Sequence, residues 1–582
     1  MRTSPVLALI VLTLSAAAQT PSIRTGTQIV IVDVTVTDSR GNAVHNLKPA
    51  HFTLLEDGKP QNIVRFEEHS APSVTTPPKL GPSLKLDPGI FTNYTAAPVD
   101  RPLNIVLLDT LNTPLKDQTY VRNQMLAFLK TLQPGTNIAI FGLTTRLILL
   151  QGFTSDPAVL RNALEHKKSN PRSSSLLNDP IGTETMSDQM DATMGGDPAA
   201  AQVIANLQQF EANLAAIQDQ MRTIYTLDAM NQLGRYLSSF PGRKNLIWFS
   251  GSFPISILPN ADDPSTVQFT ADKEFQDTTN LLTRSQVAVY PIDARGLFVP
   301  PMMDASNSGS RYVRNQRAFS QDLIRFSSQT NAEHATMLEM AEATGGKAFR
   351  NTNDLKSAVQ NAIDAGSNFY TLVYTPTNKD WNSRYRKISL KNSTQNVQLT
   401  YRHGYYAYAP QNSMAATNSQ AVPSGYDAMR SAMQRGGPVP TEILFKAQVL
   451  SSPDTSDKAA GTTTTAPSTK GPFRQYTVNY AALPSNVSLP TEGNGNHVLA
   501  VQFVVIAYDR DGKALSSVNN PISVSLKPAD YEGLMSGGIK YSQQISVPAK
   551  GETFLRIGIH DLIGNKVGAI EIPASAAPSQ KP

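Results

Sequence analysis

The sequence predicts an α/β protein: a doubly wound, mostly parallel sheet flanked by all-β sandwich modules. Three observations point there. Continuous apolar runs, such as Leu103-Asn104-Ile105-Val106-Leu107-Leu108-Asp109, read as strands buried on both faces. Helix-like stretches lie between those runs, the alternation that builds a doubly wound sheet. Toward both ends the pattern changes to β-branched segments broken by Asp- and Gly-containing turns.

Residues 1–18 carry one positive charge at Arg2, an apolar run and the small-residue end Ser15-Ala16-Ala17-Ala18. That is the pattern of a secretory signal peptide, with cleavage expected near Ala18. The run falls short of the roughly 20 apolar residues that a span needs. A secreted or periplasmic protein without a membrane span is therefore expected.

Residues 26–70 read as an N-terminal β module. Ile29-Val30-Ile31-Val32-Asp33-Val34-Thr35-Val36-Thr37 is β-branched, and Asp57-Gly58 marks a hairpin. Residues 71–100, with six prolines, read as a linker. The α/β domain is placed at 101–376. Its strands are the run ending at Asp109, then Asn137-Ile138-Ala139-Ile140-Phe141-Gly142-Leu143 with an antiparallel edge at Leu147-Ile148-Leu149-Leu150. Asn245-Leu246-Ile247-Trp248-Phe249-Ser250 and Val287-Ala288-Val289-Tyr290-Pro291-Ile292-Asp293 follow, with Tyr370-Thr371-Leu372-Val373-Tyr374 as the last.

A long loop and helix insertion occupies 168–225, its first part polar through residue 197. In its helix, Val203, Leu207, Phe210, Leu214, Ile217, Met221 and Ile224 recur at spacings of four and three. This is a heptad seam. The first expectation is that it packs on its own domain, with a coiled-coil contact as the alternative.

Four short strands are few for a sandwich that must bury two faces. The strand-like segments within 377–410 are therefore expected to complete the N-terminal module. Residues 411–440 and 451–472 read as linkers. Residues 441–575 read as a C-terminal β-sandwich. Within it, Asp509-Arg510-Asp511-Gly512 echoes Asp38-Ser39-Arg40-Gly41.

The chain has no cysteine, which excludes disulfides, thiol catalysis and zinc-thiolate sites. A net charge of +5 over 582 residues, with no basic run interleaved with aromatics, gives no reason to expect nucleic acid. Neither a Gly-x-Ser-x-Gly elbow nor a His-Glu-x-x-His motif occurs. His334, at an expected helix start, reads as a surface residue.

Several motifs together resemble one family. Asn104 through Thr113 is similar to the first strand and metal-site loop of von Willebrand factor A domains. The wider set resembles the acidobacterial VWFA-related family. It includes Glu56-Asp57-Gly58, Asp109-Thr110-Leu111-Asn112-Thr113, Gly242-Arg243-Lys244-Asn245, Tyr290-Pro291-Ile292-Asp293-Ala294-Arg295-Gly296 and Thr344-Gly345-Gly346, and it spans about residues 26–410.

The resemblance implies a metal-ion-dependent adhesion site holding Mg²⁺ or another divalent cation through oxygen ligands. Here Asp109 and Thr113 match that pattern, and Thr226 is the expected second-loop ligand. Asn112 is placed nearby as a replacement oxygen donor, with Ser250 beside it. Leu111 stands where a ligand serine belongs, and Phe249-Ser250-Gly251-Ser252 lacks the later aspartate, so the site is degenerate. The function expected is non-catalytic: binding or adhesion to a protein partner. The alternatives are a metal-free envelope scaffold and, third, a secreted hydrolase whose triad is spatial rather than sequential.

Overall fold

The computed structural model describes residues 29–70, 84–95, 101–133, 135–165, 185–194, 197–253, 271–297, 300–303, 312, 316–408, 427–456 and 472–580. The expected signal peptide and most of the expected linker at 71–100 lie outside them.

The chain opens with β1 (Val30–Asp38), β2 (Phe52–Glu56), β3 (Lys59–Pro60) and β4 (Ile63–His69). In β1 the period-two pattern is visible in burial: Val32, Val34 and Val36 are buried in one core. The short strand β5 (Ile90–Thr92) follows.

Then comes the α/β domain. Its elements are β6 (Leu103–Asp109), α1 (Leu115–Leu129), β7 (Ile138–Leu143), β8 (Leu147–Thr154), α2 (Pro157–Glu165), α3 (Met186–Met194) and α4 (Pro198–Leu237). β9 (Lys244–Ser250), α5 (Ala271–Arg284), β10 (Val287–Asp293), α6 (Gln316–Thr344) and α7 (Leu355–Ser367) complete it. The sheet order is β10-β9-β6-β7-β8, with β8 antiparallel at one edge and the other neighbours parallel. Successive side chains of β6 and β9 serve opposite faces. Ile105, Leu107, Leu246 and Trp248 face one core with α4 and α6, while Val106, Ile247 and Phe249 face another with α1, α2 and α7. Strand order reverses between β6 and β9, which places a crevice at their carboxyl ends.

The last expected strand does not join this sheet. The segment β11 (Phe369–Tyr374) pairs antiparallel with β1 and β4 instead. In the sheet's sixth place stands only a single parallel bridge, Ile292 to Phe349. The Thr344-Gly345-Gly346 motif belongs to that crossing. A Cβ on Gly346 would lie 1.9 Å from the Val289 carbonyl oxygen, so only glycine lets the chain pass β10 there.

Next, β12 (Tyr385–Asn392), β13 (Val397–Tyr401) and β14 (Gly404–Tyr406) return to the first strands. The two sheets are β13-β1-β11-β4 and β14-β12-β2-β3. Their shared core holds Val32, Val34, Phe52, Leu54, Leu372 and Ile388. Buried Glu56, from the Glu-Asp-Gly motif, accepts from Tyr374 Oη at 2.6 Å, Tyr405 Oη at 3.0 Å and Arg386 Nη1 at 3.3 Å. It ties the returning strands to the first hairpin.

All three expected linkers contain ordered structure; the one at 451–472 begins inside a strand that runs to Ser456, and its residues 457–471 lie outside the described residues. β5 adds to the edge of β15 (Phe445–Ser456) in the C-terminal module, and the Asn93 amide holds the Pro440 and Ile443 carbonyls. Residues 427–440 are fixed too: α8 (Ala428–Ala432) packs Met429 and Met433 on the module, and buried Arg556 donates to the Ala432, Gly437 and Pro438 carbonyls.

The remaining strands are β16 (Phe473–Ala482), β17 (His497–Tyr508), β18 (Ala514–Leu526), β19 (Ile539–Pro548), β20 (Phe554–Asp561) and β21 (Lys566–Pro573), with α9 (Pro528–Gly537) between β18 and β19. They form sheets β19-β16-β15-β5 and β18-β17-β20-β21 over one core.

The sequence echo is one turn used twice. Asp38 Oδ1 accepts from the Arg40 and Asn42 amides, and Asp509 Oδ1 from the Asp511 and Lys513 amides. Gly41 and Gly512 sit at φ +88° and +86°.

Candidate functional site

The rim of the sheet at the β6–β9 reversal collects the residues singled out from the sequence. Asp109 ends β6 and is buried, as are Asn112, Thr113, Thr226 and Ser250. Its Oδ1 accepts from the Asn112 backbone amide at 2.9 Å. Its Oδ2 receives Asn112 Nδ2 at 2.8 Å, Ser250 Oγ at 2.9 Å and Trp248 Nε1 at 3.1 Å.

Thr226 lies within α4, not on a loop, and its Oγ1 accepts from the same Asn112 Nδ2 at 2.8 Å. Asn112 therefore differs from the expectation. Its amide nitrogen, not its oxygen, stands between Asp109 and Thr226. The side-chain orientation follows from its partners: Arg222 Nε can only donate, and it reaches Asn112 Oδ1 at 3.0 Å. Thr113 is turned aside, with Oγ1 accepting from the Gly251 amide at 3.0 Å.

Asp109, Asn112 and Thr226 thus direct these polar atoms at one another. Where oxygen ligands would surround a cation, an amide gives its two hydrogens to the acid and the threonine, with a buried guanidinium behind it. Among the described residues, no group of three or more His, Cys, Asp or Glu side chains is placed to hold a metal ion.

Ser250 Oγ lies within reach of two acceptors, Asp109 Oδ2 at 2.9 Å and the Ser252 carbonyl at 2.5 Å. Burial pushes the Asp109 carboxyl above its usual range, against the pull of its hydrogen bonds from Asn112, Ser250 and Trp248.

A second cluster lies on the same rim. Asp293 ends β10 beside Ser250, its register partner on β9. It takes Arg295 at 2.9–3.0 Å through both oxygens and His334 Nε2 at 2.9 Å. Arg295 also reaches Glu333 at 2.8 Å, and Glu333 accepts from Ser252 Oγ at 2.8 Å. Burial pushes Asp293 upward, but the hydrogen bonds from His334 and Arg295 outweigh it and hold the carboxyl below its usual range. His334 is therefore a buried partner of Asp293, not a surface residue.

Arg222, Glu333 and His334 carried no signal of their own. Each sits on a long helix far along the chain from the strand it serves. Asp293-Ala294-Arg295 was visible only as part of a motif. A cavity of about 170 Å³ opens onto the site, lined by Asp109, Thr110, Thr113, Gln118, Arg122 and Leu164. That is below the roughly 300 Å³ at which small-molecule pockets begin.

The long helix α4 divides in two. From Arg222 to Leu237 it is mostly buried, and near its end it binds the C-terminal module through the Arg235–Glu442 ion pair and Thr441 Oγ1 on the Tyr236 carbonyl at 2.8 Å. Earlier in the helix, residues 208–221 include no buried side chain. The seam expected to pack on its own domain is exposed there, with Phe210 at 61% and Ile217 at 54% of full exposure. Helix α3, in a stretch read as polar loop, lies alongside, with Ser187 Oγ donating to Glu211 at 2.6 Å.

No protein-family model matches the chain, and no curated protein matches it. Solved structures give low-scoring likenesses. An aerotolerance-related membrane protein from Bacteroides fragilis aligns over 45% of this chain and 98% of its own, at 11% identity and a TM-score of 0.24. A von Willebrand factor type A protein from Catenulispora acidiphila aligns over 90% of this chain and 75% of its own, at 8% identity and a TM-score of 0.21. The three N-terminal domains of the type V pili tip protein Mfa5 from Porphyromonas gingivalis align over 95% and 78%, at 8% and 0.20. Scores this low do not establish a shared fold over the whole chain. Among the described residues, no helix is long and apolar enough to cross a membrane.

Proposed function

We propose that this chain is a non-catalytic interaction protein of the cell exterior or periplasm, with a von Willebrand factor A-like domain that works without a cation. The strand order and the position of Asp109 at the reversal support the domain reading. The leader-like residues 1–18 support the location. The Asn112 amide, backed by Arg222, takes the cation's part by linking Asp109 to Thr226.

The observation that carries the binding role is the solvent-facing apolar seam of α4. Exposed contiguous apolar surface marks interaction sites, while the rim side chains are engaged with one another. The contact surface is therefore the helix.

Thermal melts of the full chain in Mg²⁺, Ca²⁺, Mn²⁺ or chelator test the cation-free rim. A ligand that binds only the folded state raises Tm with concentration. The expected result is one Tm in all four; a rise with any of the metals that chelator reverses would overturn the reading. Retention of envelope proteins on the immobilised chain should likewise ignore chelator and fall in Phe210→Gln.

A further inference from the structure

We infer that the exposed seam of α4 is a self-association surface, and that its occupant is the same helix of a second copy of this chain. The inference rests on the reading of α4 as the contact surface and names the partner.

The first ground is period. Val203, Leu207, Phe210, Leu214, Ile217, Met221 and Ile224 keep the alternating four-three spacing without a slip. A straight α-helix drifts about 20° per heptad against a strict seven-residue repeat. A seam facing a sheet or a loop has no need of the strict repeat. A seam facing another helix in a supercoil does, because the repeat keeps the apolar residues on the partner throughout.

The second ground is isolation. A helix in water draws most of its stability from packing one face. Between residues 208 and 221 this one buries no side chain in its own chain. Over 22 residues it extends about 33 Å, long enough for three heptads of contact.

The third ground is charge. From Pro198 to Gln218 the only charged residue is Glu211, and Ser187 holds its carboxylate through backbone and hydroxyl; in the seam's last turns Asp219 is paired with Arg222 at 3.2 Å. The flanking amides pair along the helix, Gln202 with Asn206 and Gln209 with Asn213, each at 3.0 Å. A partner of opposite charge would find little to complement. A second copy meets almost no like-charge repulsion, which would otherwise oppose the pairing of two identical faces.

Area agrees. Six side chains about half exposed offer roughly 500 Å² of apolar surface per copy, so a pair buries about 1,000 Å², the threshold for a specific interface. A two-fold contact between identical patches is the commonest form of assembly.

The test is sedimentation equilibrium of the full chain across a concentration series, with Leu214→Glu and Phe210→Gln beside it and circular dichroism melts as the fold control. Both substitutions lie at exposed positions, so their melts should follow wild type at concentrations where all are monomeric. The expected result is a dimer of the 63.0 kDa chain, with association at least tenfold weaker in either variant. Because the chain has no cysteine, Leu214→Cys should also give a disulfide-linked dimer on oxidation.

A dimer that both variants leave intact overturns the proposal, because it forms elsewhere. A wild-type monomer at every concentration overturns it too. In that case binding of an apolar fluorescent dye, lost in Leu214→Glu, keeps the seam as a contact surface for another protein. A monomer that binds no dye overturns the contact-surface reading as well.

Discussion

Asp109 and Asp293 close two parallel strands of one sheet, both are buried, and they differ in what surrounds them. The donors to Asp109 are neutral: an amide, an indole and a hydroxyl, with the nearby guanidinium of Arg222 turned to Asn112 instead. Asp293 is met directly by Arg295 and by His334. Burial raises the carboxyl of the first, while direct donors outweigh burial at the second and lower it. Position on the rim does not decide how an acid behaves. The first atom in contact with each oxygen does.

The largest effect expected from this contrast is in Asp293→Asn. It leaves Arg295 and Glu333 in place but strips the arginine of its bidentate partner. Breaking a buried pair from one side costs about 3–5 kcal/mol, which urea unfolding at pH 7 measures. Asp109→Asn should cost less. The new amide has one oxygen, which meets either the Asn112 backbone amide or the pair Trp248 Nε1 and Asn112 Nδ2, so one or two buried donors lose an acceptor, at about 1–3 kcal/mol. If the Asp109 variant proves the more damaging, the contrast fails.

The smallest and sharpest expectation is in pH. Asp293 has a lowered folded pKa, so its contribution is present above the usual 3.8 and is lost as pH falls through the folded value. The penalty of Asp293→Asn should shrink in acid. Asp109 has a raised folded pKa, so the folded state holds a proton that the unfolded chain releases above 3.8, and stability falls as pH rises through the folded value. The penalty of Asp109→Asn should grow in acid. Urea midpoints from pH 3 to 7 for both variants would show the opposite slopes; parallel slopes would remove the distinction.

Much of the α/β sheet was legible because its strands are apolar on both faces and their ends coincide with turn residues. What such a run cannot state is its neighbours. Phe369-Tyr370-Thr371-Leu372-Val373-Tyr374 has the composition of an α/β strand, yet it is buried in the N-terminal sandwich. Ile90-Phe91-Thr92 was too short to register between prolines and needed β15 to define it as a strand. At the rim, Asp109 and Asn112 were visible from local motif. The meaning of Asn112 depended on Arg222, which is 110 residues away on a helix whose pattern advertised only its apolar seam. Heptad spacing located that seam but could not say which body it faces.

The return of β11–β14 onto β1–β4 sets an order of events during synthesis. The first strands leave the ribosome more than 300 residues before their partners, as the pairing of Val34 with Tyr370 illustrates. Until then their edges lack those partners, which is the condition in which strands pair wrongly with other chains. Folding of the intervening α/β domain draws Leu103 and Ser367 into one body and replaces a very long loop closure by a short one. The middle of the chain thus acts as the jig on which its two outer parts are brought together. Damage to the α/β core should therefore surface first as misassembly of the N-terminal sandwich, in a part of the protein that the damaged residue never touches.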